Sequence, residues 1–87
     1  MVKYIILHWC GTQVHAVTQH ILNSYQLVIN QEGKEFTGAP QGTSASTAGM
    51  NSITFNIAAT GGDIKAPLTK VQCEKLFAVT AQMCKKF

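Results

Sequence analysis

Charge is scarce in this chain. Only 13% of its 87 residues are Asp, Glu, Lys or Arg, and the acids are four: Glu32, Glu35, Asp63 and Glu74. The formal net charge of +3 tolerates an anionic ligand, but it lacks the basic density of a nucleic-acid-binding surface. No run approaches the roughly 18 to 20 apolar residues that span a bilayer. The short apolar stretch over residues 1–9 is not followed by a small-residue cleavage site. No nucleic-acid partner and no membrane partner are therefore expected, and the chain reads as unexported and cytoplasmic. Its three cysteines form an odd set. Cys73 and Cys84 fall on one predicted helix about 16 Å apart along its axis, too far for a disulfide. Free thiols serving as small core residues in a reducing compartment are the expectation.

Hydrophobic residues make up 46% of the sequence, enough for an ordered core and too many for a disordered chain. Eighty-seven residues make one small domain over 1–87, near the size at which a single core is only marginally sufficient. With so little charge to cover it, some apolar surface is expected to be buried against another copy, giving a homo-oligomer.

The pattern along the chain predicts an α/β fold: a small mixed β-sheet of about four strands packed by two helices. Residues Val2 to Trp9 read as a strand buried on both faces, because the run is almost continuously apolar. Thr12 is placed to cap a helix from about Gln13 to Leu22. Tyr25 to Gln31 alternates as a strand, and Glu32-Gly33 turns it into Lys34 to Thr37 as a hairpin. The Gly-, Ser- and Thr-rich stretch from Gly38 to Asn51 reads as a surface loop. Ser52 to Thr60 returns to strand, with Ile53, Phe55, Ile57 and Ala59 on one face. Thr69 followed by Gln72 is a capping-box pattern. Behind it Cys73, Leu76, Phe77, Thr80, Met83, Cys84 and Phe87 mark one helical face, each large side chain contributing roughly 1.5 to 3 kcal/mol if buried.

Taken in order, these motifs resemble a known family. A strand into His8-Trp9-Cys10-Gly11-Thr12, a helix, Tyr25-Gln26-Leu27-Val28-Ile29-Asn30-Gln31-Glu32-Gly33, Thr47-Ala48-Gly49-Met50-Asn51-Ser52 and Pro67-Leu68-Thr69 before a long helix look like the zinc-dependent N-acetylmuramoyl-L-alanine amidases. That superfamily includes amidase-type phage lysozymes and peptidoglycan recognition proteins. The resemblance implies a shortened amidase-like fold, with His8 at the first zinc-ligand position and Tyr25 facing the groove. Gly49 and Asn51 match the family's Gly-aromatic-Asn motif.

The departures carry as much information. The family's other two zinc ligands lie beyond the long helix, where this chain has ended at Phe87. Ser46 stands where many members carry a pocket histidine, and Gln26 replaces the histidine that often follows the tyrosine. A catalytic zinc needs three protein ligands and an open fourth position. His8 is then a vestigial ligand position, and no zinc or other cofactor is expected. His15 and His20 are five apart on the predicted first helix, off the spacing that aligns two ligands. No catalytic residue is assigned.

What remains is a groove. Its candidate ligand-binding residues are His8, Trp9, Tyr25 and Gln26 with the loop residues Ser44, Ser46, Thr47 and Asn51. Trp9 and Tyr25 supply stacking surfaces, and the hydroxyl and amide groups supply short donors and acceptors. The expected function is a non-catalytic small-ligand-binding protein, a pseudoenzyme of phage origin. One concrete version is a sponge that sequesters an anionic, nucleotide-derived immune signal in the host cytoplasm as an anti-defence device. The alternative is a peptidoglycan amidase or a muropeptide-binding protein, its missing ligands supplied by another chain.

Overall fold

A single strand, β4 (Thr54–Ala59), organises the fold because, among the described residues, it alone has a parallel neighbour on each side. The computed structural model describes residues 2–40 and 53–87. In chain order these form β1 (Tyr4–Trp9), α1 (Gln19–Ser24), β2 (Leu27–Ile29), β3 (Glu35–Thr37), β4 and α2 (Lys70–Lys86). The sheet order is β1-β4-β2-β3, with β3 antiparallel to β2. This is a small mixed four-stranded sheet packed by two helices, an α/β fold.

Parallel central strands are covered on both faces, so β4 and β2 need side chains that tolerate full burial. They have them: Val28, Ile29, Ile57, Ala58 and Ala59 have no exposed surface. On one face Leu27, Ile29, Ile57 and Ala59 meet Leu76 and Val79 of α2, with Ile5, Phe55, Leu68 and Met83 at the margin. Each large member of that cluster contributes roughly 1.5 to 3 kcal/mol by leaving water. The opposite face of β4 is also buried and carries the polar Thr54 and Asn56.

The β2–β3 hairpin forms as the sequence predicts. Asn30 Oδ1 accepts from the backbone N–H groups of Glu32 and Lys34, and Gly33 takes the left-handed conformation at φ 81° that glycine adopts without steric penalty. The capping box of α2 is also present, with Thr69 Oγ1 accepting from Gln72 N and Gln72 Oε1 accepting from Thr69 N.

Three expectations need correction. The apolar strand β1 is not buried on both faces: among the described residues it pairs only with β4, and Tyr4, Leu7 and Trp9 are exposed. An apolar run reports composition, whereas coverage depends on which strand takes the centre. The first helix begins at Gln19, capped by Thr18, not at Gln13. Thr12 is unavailable as a cap because its hydroxyl accepts from Gly61 N and donates to Val14 O, tying this segment to the end of β4. The buried stripe of α2 is Gln72, Leu76 and Val79, while Phe77, Cys84 and Phe87 are exposed. Gln72 sets that rotation: it donates to Ile29 O and Thr60 O and must therefore face the sheet.

Candidate ligand-binding site

His8 lies on the polar face of the sheet, near the C-terminal end of β1 and level with Ala58 of β4. Its ring is oriented by a chain of hydrogen bonds whose polarity can be read from a fixed donor. The backbone N–H of Asn56 donates to Gln26 Oε1 at 2.7 Å, which identifies that atom as the oxygen. The same oxygen takes the Asn56 side-chain Nδ2–H at 3.1 Å, and a longer contact of 3.4 Å runs from Nδ2 to Thr54 Oγ1. With its nitrogen committed there, Asn56 turns its oxygen toward His8. The 2.9 Å contact between Asn56 Oδ1 and His8 Nε2 then requires a proton on Nε2. In the neutral ring Nδ1 carries the lone pair, and it has no hydrogen-bond partner among the described residues.

Tyr25, at the entrance to β2, brings its ring to 5.1 Å from that of His8 in a tilted contact, within the range where aromatic rings attract. Cys10 stands close enough to influence it. Burial raises the Tyr25 phenol above its ordinary value, and the nearby Cys10 raises it further. Burial likewise pushes the Cys10 thiol up. In both groups burial favours the protonated form.

The four carboxylates are placed elsewhere. Glu32 sits in the hairpin turn, Glu35 pairs with Lys75 at 3.0 Å, Glu74 approaches Lys70 at 3.9 Å, and Asp63 accepts from Lys65 N. None orients His8. Among the described residues no three His, Cys, Asp or Glu side chains converge on one point. Around His8 itself, Nε2 is held by Asn56 and Cys10 is the neighbouring thiol.

Of the residues singled out from the sequence, His8 and Tyr25 come together. Gln26 is buried and spends its amide on Asn56 N and Pro40 O, so it supports the site from beneath. Trp9 is adjacent in sequence but projects to the other face, as strand alternation requires, and its ring lies against Gly62. Trp9 and Tyr25 do not form two walls of one slot. Ser44, Ser46, Thr47 and Asn51 lie outside the described residues. A one-sided hollow of about 260 Å³ borders Leu7, His8 and Trp9. A second, about 440 Å³, opens between α1 and the end of β3, against Gln19, Leu22, Asn23, Thr37 and Gly38.

Sequence reasoning missed Asn56, the residue that fixes the His8 tautomer. The available signal was a polar side chain at an inward position of an otherwise apolar strand, which must find partners when buried. It also missed His15. That residue is not helical; it bridges Thr60 Oγ1 and Pro67 O, each at 3.1 Å, and so joins the segment before α1 to the one before α2. Compared with known proteins, the chain matches no family model and no curated relative.

Proposed function

We propose that this chain is a non-catalytic receptor for a small polar ligand, built on a shortened amidase-like domain of phage origin. The observation that carries the reading is the state of His8. Its Nε2–H is held by Asn56, Nδ1 has no hydrogen-bond partner among the described residues, and the Tyr25 ring stands 5.1 Å away. An imidazole fixed in this way is a directional acceptor when neutral and an anion donor when protonated. No carboxylate lies behind it, and among the described residues no three His, Cys, Asp or Glu side chains converge, which supports a reading of binding without turnover.

The ligand class that suits this site is an anionic nucleotide-type molecule, with a ring for Tyr25 and oxygen atoms for His8. Sequestration of a nucleotide-derived immune signal is the biological form of the proposal. The corresponding compartment is the host cytoplasm. No helix among the described residues is long and apolar enough to cross a membrane.

The test is a thermal-shift screen of ADP-ribose-type and cyclic nucleotides beside muropeptides, using wild type and His8→Ala. A ligand at a hundred times its dissociation constant stabilises the folded state by about 2.7 kcal/mol, a rise of roughly 10 to 20 °C for a domain of this size. Nucleotide stabilisation that disappears in His8→Ala supports the reading. Stoichiometric zinc with hydrolysis of the muramoyl–alanine bond overturns it, and so does the absence of any shift.

A further inference from the structure

The two edges of the sheet are built differently. At one edge β3 is three residues long, is preceded by Lys34 and begins with Glu35. At the other β1 runs six residues, Tyr-Ile-Ile-Leu-His-Trp, without a formal charge, proline or bulge. Natural edge strands are usually shortened or charged to prevent pairing with another chain. β1 has neither protection.

The backbone groups of β1 that have no partner among the described residues can be assigned. Tyr4 N donates to Ile53 O and Cys10 N to Ala59 O, so the even-numbered residues of β1 bond to β4. The N–H and C=O groups of Ile5, Leu7 and Trp9 therefore point outward, in the alternation of a strand. The helix above this edge is asymmetric in the same sense. The α2 flank toward β3 carries Lys75, which pairs with Glu35. The flank toward β1 is mostly apolar: Thr80, Cys84 and Phe87 share a hollow with Val2, Lys3, Tyr4 and Ile5, Lys86 lies over the Phe87 ring at 5.7 Å, and Phe77 continues that line one turn earlier.

Four large side chains stand open on the α2 side of this edge: Leu7 at 38%, Trp9 at 65%, Phe77 at 66% and Phe87 at 49%. Together they expose on the order of 400 Å², taking about 200 Å² for each whole side chain. That is about half of the roughly 800 Å² per partner in a stable complex, and Tyr4, at 52%, adds to it from the other face of the strand. Backbone pairing along the strand adds to it.

From the geometry we infer that this face is the interface of a two-fold dimer, in which β1 pairs antiparallel with β1 of a second copy. An antiparallel edge is self-complementary about a two-fold axis. With the axis at Ile6, Ile5 faces Leu7 of the partner, and Lys3 faces Trp9 rather than another Lys3. The sheet becomes continuous across eight strands, and the Phe77 and Phe87 flanks of the two α2 helices approach over the seam. A second strand at this edge also supplies the missing wall of the hollow beside Leu7, His8 and Trp9. The dimer rests on the edge and the helix flank alone, so it stands or falls separately from the ligand reading.

The experiment is sedimentation equilibrium of the full chain across a concentration series, with Phe77→Lys, Leu7→Pro and, on the charged flank, Gln82→Lys. Wild type and Gln82→Lys are expected at twice the chain mass. Phe77→Lys sets two charges against each other at the seam and should raise the dissociation constant by roughly thirtyfold or more. Leu7→Pro deletes an outward N–H while leaving the β4 ladder intact, and should also dissociate the dimer. A cooperative melt confirms that each variant is folded; Phe77 is exposed, so its variant decides the matter if the proline variant does not fold. A monomeric wild type overturns the inference, as does a dimer that Phe77→Lys leaves intact.

Discussion

Replacing Gln72 by Met should cost the fold about 3 kcal/mol, although the two side chains are close in volume. Gln72 is fully buried and makes four side-chain bonds: to Ile29 O, Thr60 O and Thr60 Oγ1 as donor, and from Thr69 N as acceptor. The losses are unequal. Ile29 O keeps the N–H of Thr60 and Thr60 Oγ1 keeps His15, but Thr60 O loses its only described donor. An orphaned buried carbonyl costs about 1 to 3 kcal/mol, and loss of the reciprocal cap adds roughly 1 kcal/mol. Total stability for 87 residues is about 4 to 13 kcal/mol, so the melting temperature should fall by roughly 12 to 24 °C. Urea unfolding of wild type and Gln72→Met, fitted with a common slope, measures the difference. Gln72→Glu provides a signed control. Its carboxylate would face two carbonyl oxygens, so burial raises its folded pKa; stability should be greatest at acidic pH and fall as pH rises through that value. A loss below about 1 kcal/mol in Gln72→Met, with the slope unchanged, refutes the idea that these bonds hold α2 in its rotation.

Two further outcomes are expected. In wild type the neutral His8 ring carries its proton on Nε2, visible in ring ¹⁵N shifts; Asn56→Ala should release that preference and cost about 1.5 to 3 kcal/mol for the bonds it removes, whereas an Nδ1–H tautomer in wild type would contradict the assigned bond polarity. Because Cys10 and Tyr25 both have raised values in the fold, the unfolded chain loses these protons first as the solution becomes alkaline. Their contribution is complete below the ordinary thiol value of 9.0 and disappears as pH climbs through the raised values. Melting temperature should decline over that window, less steeply in Cys10→Ala, and an identical decline in both would show that the thiol is not the source.

Local signals were legible where the structure they specify is local. The hairpin turn at Asn30 to Lys34 and the capping box at Thr69 and Gln72 are closed by atoms within four residues of one another, so their residues declare them. The same holds for the period-two pattern of β4, whose Phe55, Ile57 and Ala59 face α2. The candidate site was half legible. His8 and Tyr25 could be named from motif order, yet the Asn56 and Gln26 amides that orient His8 arrive from 48 and 30 residues away along the chain of contacts.

The amino-acid order by itself determined the α/β class, the strand and helix count, the turn chemistry and the imidazole at the end of the first strand. Tertiary structure decided which apolar strand became central and which became an edge. It also decided which of two adjacent stripes of α2 turned inward, and whether Thr12 began a helix or bonded to Gly61. The physical reason is common to all three. β1 and β4 are both apolar enough to occupy the centre, the α2 stripes differ by only a fraction of a turn, and Thr12 is competent in either role. Local preference leaves these alternatives within a few kcal/mol, and buried partners distant in sequence, Gln72 with Ile29 and Thr60 above all, select among them.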